Sequence, residues 1–301
     1  MYDIIIVGAG PAGLTAALYA KRAGKSVLII EKENIGGQIT FSPCVENYPS
    51  IKKISGMELA DNLFEQVSAL GAVLELEEVV KIESDGDVKK VICTDVEYEA
   101  KAVILACGSK HRHLGVDRED DMIGKGVSYC AVCDGAFFKG GTTAVVGGGN
   151  TALQDAVYLA DICAKVYLIH RRDGFRADLN LVEKLKALPN VEFITPAVIK
   201  ELVGNEKLTA IKVTSPDGEN ERTIEIDGLF VAVGQMPQMD NFSSVIKLDE
   251  SGYADSAEDC RTLTEGVFVA GDCRKKSVRQ LATAVSDGAV AALAACEYID
   301  R

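Results

Sequence analysis

Positive charge is in short supply in this chain. Lys plus Arg number 32 against 45 Asp plus Glu, a net charge of −13 over 301 residues. An acidic surface repels phosphate backbones and anionic lipids, so neither nucleic-acid binding nor membrane association is expected. Long apolar runs are missing too. None approaches the ~18 residues of a membrane span. The stretch from Leu281 to Cys296, broken by Asp287 and Gly288, reads as a buried helix. The N-terminus enters Ile4-Ile5-Ile6-Val7 at once, with no basic region and no cleavage site. That argues against a signal peptide and points to the cytoplasm. Nine cysteines, an odd number scattered through apolar stretches, do not make a secreted disulfide framework.

What is present is a large core and an ordinary surface. Apolar residues make up 48% and charged residues 26%. Disorder, collagen-like repeats and a coiled coil are excluded. The length suggests about two domains.

The first motif opens the chain. Tyr2 to Val7 is a β-branched run, followed by Gly8-Ala9-Gly10-Pro11-Ala12-Gly13, a helix-forming stretch from Leu14 to Arg22, and a second strand from Ser26 to Ile30 ending at Glu31. This is β-α-β with G-x-G-x-x-G at its first turn. Gly8 permits the tight turn, Gly10 lets backbone approach a pyrophosphate, and Gly13 lets helix pack on strand. The pyrophosphate would sit on the helix N-terminus, and Glu31 is placed to accept from a ribose hydroxyl.

The plan recurs mid-chain. Thr143 to Val146 is a strand, Gly147-Gly148-Gly149-Asn150-Thr151-Ala152 is G-x-G-x-x-A, Leu153 to Ala160 is a helix, and Lys165 to Ile169 is the next strand. That strand ends not in an acid but in His170-Arg171-Arg172, with Arg176 behind it. A carboxylate would repel a 2′-phosphate, whereas arginines pair with one through charge-assisted hydrogen bonds. The second site therefore reads as selective for NADPH, the competing reading being a solvated basic turn. FAD is the dinucleotide able to take the other end of a hydride transfer.

Later segments return to the first site. Ala102 to Ala106 is a strand closing in Cys107-Gly108. Gly266 to Ala270 is a strand followed by Gly271-Asp272, where an acid can reach a ribityl hydroxyl. Ser277 to Ala289 reads as a helix with Arg279-Gln280 near its start. The FAD domain is thus split. The expected division is residues 1–113 and 240–301 for FAD, with 114–239 inserted between them for NADPH. The fold class is α/β with two Rossmann-like domains.

Cys130-Ala131-Val132-Cys133-Asp134-Gly135 holds the one C-x-x-C. A structural zinc site wants four ligands, and no second C-x-x-C exists. His111 and His113 fall near the expected domain crossing. No metal is expected. A redox dithiol fits better, because a thiolate attacks disulfides. Asp134 is either a proton donor and acceptor for the exchange or a buried structural acid. Electrons would run from NADPH to FAD, to Cys130–Cys133, and to an external disulfide.

These motifs together resemble those of the low-molecular-weight, bacterial-type thioredoxin reductases, within the class II pyridine nucleotide-disulfide oxidoreductases. The likeness also takes in Gly36-Gly37-Gln38, Val45-Glu46-Asn47-Tyr48-Pro49 and Asp173-Gly174-Phe175, and it spans essentially the whole chain. It implies a homodimer that reduces thioredoxin. It implies FAD contacts from Glu31, Lys32, Gly36, Gly37, Gln38, Asn47, Asp272 and the segment through Leu281. It also implies a hinge motion between the domains, with Cys133 as the flavin-side sulfur and Cys130 as the attacking one. Two positions depart from the family pattern: Cys44, where a carboxylate is common, and Ser50, where glycine is common. Cys44 is either an extra redox thiol or an inert small residue. Rival readings keep the fold but change the traffic: a glutaredoxin-like acceptor, a ferredoxin donor, or a flavin-dependent dithiol or NADPH oxidase.

Overall fold

The structure, a computed structural model, describes residues 1–301. In chain order the first part comprises β1 (Tyr2–Val7), α1 (Pro11–Arg22), β2 (Val27–Glu31), α2 (Gly56–Ala69), β3 (Val73–Leu76), β4 (Val79–Asp85), β5 (Val88–Cys93), β6 (Glu97–Leu105) and β7 (Ser109–His111). The middle part comprises β8 (Val127–Ser128), α3 (Ala131–Asp134), β9 (Thr142–Val146), α4 (Asn150–Ile162), β10 (Lys165–Ile169), α5 (Leu179–Lys186), β11 (Val191–Ile194), β12 (Val198–Val203), β13 (Ala210–Thr214), β14 (Arg222–Glu225), β15 (Gly228–Val231) and β16 (Gln235–Pro237). The chain closes with β17 (Val267–Val269) and α6 (Leu281–Ile299).

Two compact units result: Met1–Lys110 with Met236–Arg301, and His111–Gln235. The division falls a few residues before the expected 113/114 and 239/240. At the first crossing, His111 stacks on Tyr129 and the tilted His113 ring lies 5.5 Å from it, so both belong to the second unit. At the second, Met239 is fully buried beside Phe242, Val245 and Ile246 in the first unit's core. The chain passes between the units along β7 and β16, which pair with each other.

The first unit is built on a seven-stranded sheet ordered β3-β2-β1-β6-β5-β4, with β17 also paired to β6. β1 pairs parallel with β2 and β6, as a βαβ unit requires. Side chains alternate across it. Ile4 and Ile6 enter one core with α1 and α6, while Ile5 and Val7 enter another with Met239 and Phe242. Each such fully buried side chain contributes about 1.5–3 kcal/mol relative to exposure. The alanine-rich faces of α1 and α6 allow close approach; a Cβ on Gly288 would lie 2.2 Å from Ala12 O.

Three sequence expectations need correction here. By pattern Val73 to Ile82 and Lys89 to Cys93 read as strands of a small sheet flanking the FAD site, but Val73 to Ile82 is two strands: β3 pairs parallel with β2, and β4 pairs antiparallel with β5. The charged Glu77-Glu78 pair breaks the run. Nor do β4 and β5 form a separate small sheet. β6 is nine residues long, pairing with β5 through its first half and with β17 through its second, so one sheet is continuous. The last helix begins at Leu281 rather than Ser277 and runs to Ile299. By length and composition it could cross a membrane, but it packs against α1.

The second unit carries a five-stranded parallel sheet, β11-β10-β9-β15-β8, and an antiparallel sheet, β12-β13-β14. Val145, Val166 and Leu168 face a core with α4 and α5, and Ala144, Val146 and Ile169 face the antiparallel sheet.

Candidate functional site

In the first unit the expected dinucleotide residues converge on the carboxyl ends of β1, β2, β6 and β17. Two glycines explain the tightness: a Cβ on Gly13 would lie 1.9 Å from Gly8 O, and one on Gly8 would lie 2.4 Å from Ala106 O. Gly10 is different. A Cβ there would meet nothing nearer than Gly36 O at 3.9 Å, so its open side is room for a ligand. Gly10 caps α1 with no side-chain hydrogen bond and Pro11 occupies the first turn, which leaves backbone N–H groups available to an anion. Gly36 N–H donates to Ala9 O at 2.8 Å, bringing the Gly36-Gly37-Gln38 turn alongside.

Glu31 is buried. Its Oε2 accepts from Ala9 N–H at 2.7 Å and its Oε1 from Glu33 N–H at 2.8 Å. The acid ties the glycine turn to β2, and each oxygen keeps a further acceptor site. Lys32 turns outward, donating to Gln238 Oε1 at 2.8 Å. Asn47 Nδ2 donates to Gln280 Oε1 at 3.4 Å, so these two residues meet. Gln280 forms a capping box with Thr283 at the start of α6, immediately before Leu281.

Gly108 and Gly271-Asp272 close the site. Asp272 Oδ1 is out of water and has no hydrogen-bond partner; Lys276 Nζ stands 3.9 Å away. Burial pushes this carboxyl up, with Lys276 and Arg279 opposing. A buried acceptor left open in this way fits a ligand hydroxyl. The turn behind it is held by Asp287, which accepts from Gly271 N–H at 3.0 Å, Arg274 at 3.1 and 3.2 Å, and Lys276 at 3.0 Å. Sequence reasoning missed this cluster. Its one signal was an acid interrupting an apolar helix.

Arg279 reaches back to the same turn. Its Nε donates to Asp272 O at 3.1 Å and its Nη2 to Arg274 O at 3.3 Å. It braces the Asp272 turn. Ser50 has φ of +77°. The family's glycine at this position thus answers a left-handed backbone that serine adopts here at a cost. Cys44 is buried, with the Ser42 hydroxyl donating to its carbonyl at 3.1 Å.

In the second unit Gly147, Gly149, Asn150 and Thr151 form the turn from β9 into α4. A Cβ on Gly147 would lie 2.3 Å from Ala232 O, whereas Gly149 is open. Gly149 caps α4 without a side-chain bond. Asn150 exchanges hydrogen bonds with Asp178, and Arg176 N–H donates to Gly148 O at 2.7 Å, which draws the loop after β10 over the turn. Arg171, Arg172 and Arg176 are exposed on that loop. His170 does not join them. Its ring is buried beneath Gly148, where a Cβ would come within 2.2 Å, and it stacks on Phe175 at 5.2 Å. Burial, with repulsion from the three arginines, pushes its pKa down against a backbone hydrogen bond at Gly174.

Cys130 and Cys133 form a disulfide, Cα–Cα 5.3 Å. Cys133 N–H points at Cys130 Sγ across 3.2 Å and would stabilise a thiolate there after reduction. Ser128 Oγ accepts from Cys130 N–H at 3.1 Å and donates to Asp134 Oδ2 at 2.6 Å. Asp134 Oδ1 is buried and unpartnered, and burial pushes this carboxyl up against the Ser128 bond. Its raised affinity suits it to hold a proton. Tyr129, next to Cys130, is wedged between His111 at 4.8 Å and His113 at 5.5 Å, and its hydroxyl donates to buried Glu119 at 2.7 Å. The sequence had shown the two histidines only as zinc candidates.

Comparison with known proteins bears on the family. Residues 2–288 match the family model described as pyridine nucleotide-disulphide oxidoreductase. Thioredoxin reductase of Mycoplasma genitalium is 44% identical over 298 residues, covering 97% of this chain and 94% of that protein. Thioredoxin reductase of Bacillus subtilis is 40% identical, covering 100% and 96%. The crystal structure of thioredoxin reductase from Streptococcus pyogenes superposes with a TM-score of 0.96 at 41% identity, covering 100% and 98%. Glycine turns, a disulfide in the inserted unit and these likenesses lead to one conclusion: the chain belongs to the pyridine nucleotide-disulphide oxidoreductases.

Proposed function

We propose that this enzyme reduces the disulfide of thioredoxin with electrons from NADPH, binding FAD in the Met1–Lys110/Met236–Arg301 unit and NADPH in the His111–Gln235 unit, as a homodimer. The observation that carries the reading is the Cys130–Cys133 disulfide beside a buried Asp134 whose carboxyl burial pushes up, in the unit whose glycine turn is flanked by arginines. The residues fit both cofactors. Open space at Gly10 and the unpartnered Asp272 Oδ1 suit FAD, and the exposed Arg171, Arg172 and Arg176 suit a 2′-phosphate. The bound pair would supply hydride transfer and a two-electron reduction of the disulfide.

The chain's own part is thiol chemistry. Reduced, Cys130 is held as thiolate by Cys133 N–H. Its Sγ attacks one sulfur of the partner disulfide, and the other leaves as a thiolate that takes a proton. Cys133 Sγ then attacks Cys130 Sγ, reforms the intramolecular disulfide and releases the second partner sulfur. Asp134 is placed to take and give the protons. Val132, between the cysteines, is 52% exposed, so the partner can approach. The arginine cluster argues against a ferredoxin donor, which has no 2′-phosphate for it to bind.

Cys133→Ser tests this. Thioredoxin reduction should fall by on the order of 10³-fold or more, the scale of losing a catalytic nucleophile, with FAD retained. Undiminished turnover in that variant would refute the reading.

A further inference from the structure

Tyr253 lies against the turn that presents Asp272. Ala254 N–H donates to Cys273 O at 2.9 Å and Lys275 N–H to Ala254 O at 2.9 Å, so the backbone beside Tyr253 is fastened along that turn. On its other side, Asp249 Oδ1 accepts from Ser251 N–H at 2.8 Å and Tyr253 N–H at 3.0 Å. The ring so fixed lies 3.9 Å from the guanidinium carbon of Arg279. That guanidinium reaches the carbonyls of Asp272 and Arg274 with its Nε and Nη2. A planar cation over an aromatic face is attracted by the ring quadrupole and loses freedom to tilt.

We propose that Tyr253 is a positioning residue of the flavin site: its ring holds the Arg279 guanidinium flat, and Arg279 in turn fixes the Gly271–Cys273 turn and the Asp272 carboxylate. This rests on the reading that Asp272 receives the flavin. Two supports then bracket the turn, the Asp287 cluster within and the Tyr253–Arg279 pair without. The ring face does this work, so the position needs an aromatic ring and leucine cannot supply it.

The test uses full-length protein stripped of flavin and reconstituted with FAD, following the quenching of flavin fluorescence. Tyr253→Leu should weaken FAD binding about tenfold and Tyr253→Phe by no more than about twofold. The double variant Tyr253→Leu/Arg279→Gln should bind no more weakly than Arg279→Gln alone, because the tyrosine acts through the arginine. This comparison, together with the visible spectrum of the bound flavin, separates positioning from general loss of stability, and the melting temperatures of the flavin-free proteins show whether each variant folds. Equal losses in the Phe and Leu variants, or additive losses in the double variant, overturn the proposal. So does full binding by Tyr253→Leu when Asp272→Ala binds weakly. Wild-type binding by Asp272→Ala overturns instead the reading on which it rests.

Discussion

The two glycine turns share a plan and differ in what stands at the end of the following strand. After β2 it is Glu31, buried and tied to Ala9 N–H. After β10 it is a loop bearing Arg171, Arg172 and Arg176, drawn over the turn by Arg176 N–H and Asn150. On the proposed function, one plan would serve two dinucleotides by a reversal of charge at one topological position. The units also differ in how the turn is supported. The first uses a buried ionic cluster, Asp287 with Arg274 and Lys276, whose side chains are 10%, 4% and 8% exposed. In the second, an aromatic cluster lies beneath the turn, His170 stacked on Phe175 and Phe175 edge-on to Phe193.

The largest effect should come from breaking the ionic support. Asp287→Ala removes the short ion pairs of two buried cations, leaving Arg274 only Glu258 at 3.8 Å and Lys276 only Asp272 at 3.9 Å, and should destabilise the protein by about 3–5 kcal/mol in denaturant unfolding. The same group gives a pH signature. Burial alone would raise the Asp287 carboxyl, but hydrogen bonds from Arg274 and Lys276 outweigh it and leave it lowered. An acid lowered in the folded state binds fewer protons there than when unfolded. Its stabilisation is present above the ordinary Asp range and is lost as pH falls below that range, through the lowered folded value. Acid unfolding of Asp287→Ala should therefore be less steep than that of the wild type.

Next comes the reversal of charge itself. Arg171→Ala/Arg172→Ala should raise KM for NADPH by about 10²-fold, leave kcat near wild type, and barely change the use of NADH. Equal losses with both nucleotides would mean that the arginines only shape the loop. The smallest effect concerns the first unit alone. Ser50→Gly removes a left-handed serine and should stabilise by about 1 kcal/mol, read as a small rise in Tm.

Much of this was legible in the sequence because backbone demands fix residue type. Gly8, Gly13 and Gly147 each stand where a side chain would strike a carbonyl within 2.4 Å. The strand–turn–helix pattern around them follows from β-branched runs giving way to alanine-rich ones. Cys130, Cys133 and Asp134 were legible from spacing and adjacency. What sequence left hidden depends on where side chains of ordinary type point. His170 is buried under Gly148, Arg279 braces carbonyls, and Tyr253 covers Arg279. None of these directions is set by periodicity. The break between β3 and β4 was missed because two apolar runs flank only two acids, too short an interruption to separate a bulge from a change of partner strand.

The central claim is that both redox centres belong to one electron path starting at NADPH. Anaerobic titration of the pure protein, followed by flavin absorbance, tests it most directly. Complete reduction should take about two equivalents of NADPH per subunit, one for FAD and one for the Cys130–Cys133 disulfide, falling to about one in Cys133→Ser. A flavin that dithionite bleaches and NADPH does not would contradict the account.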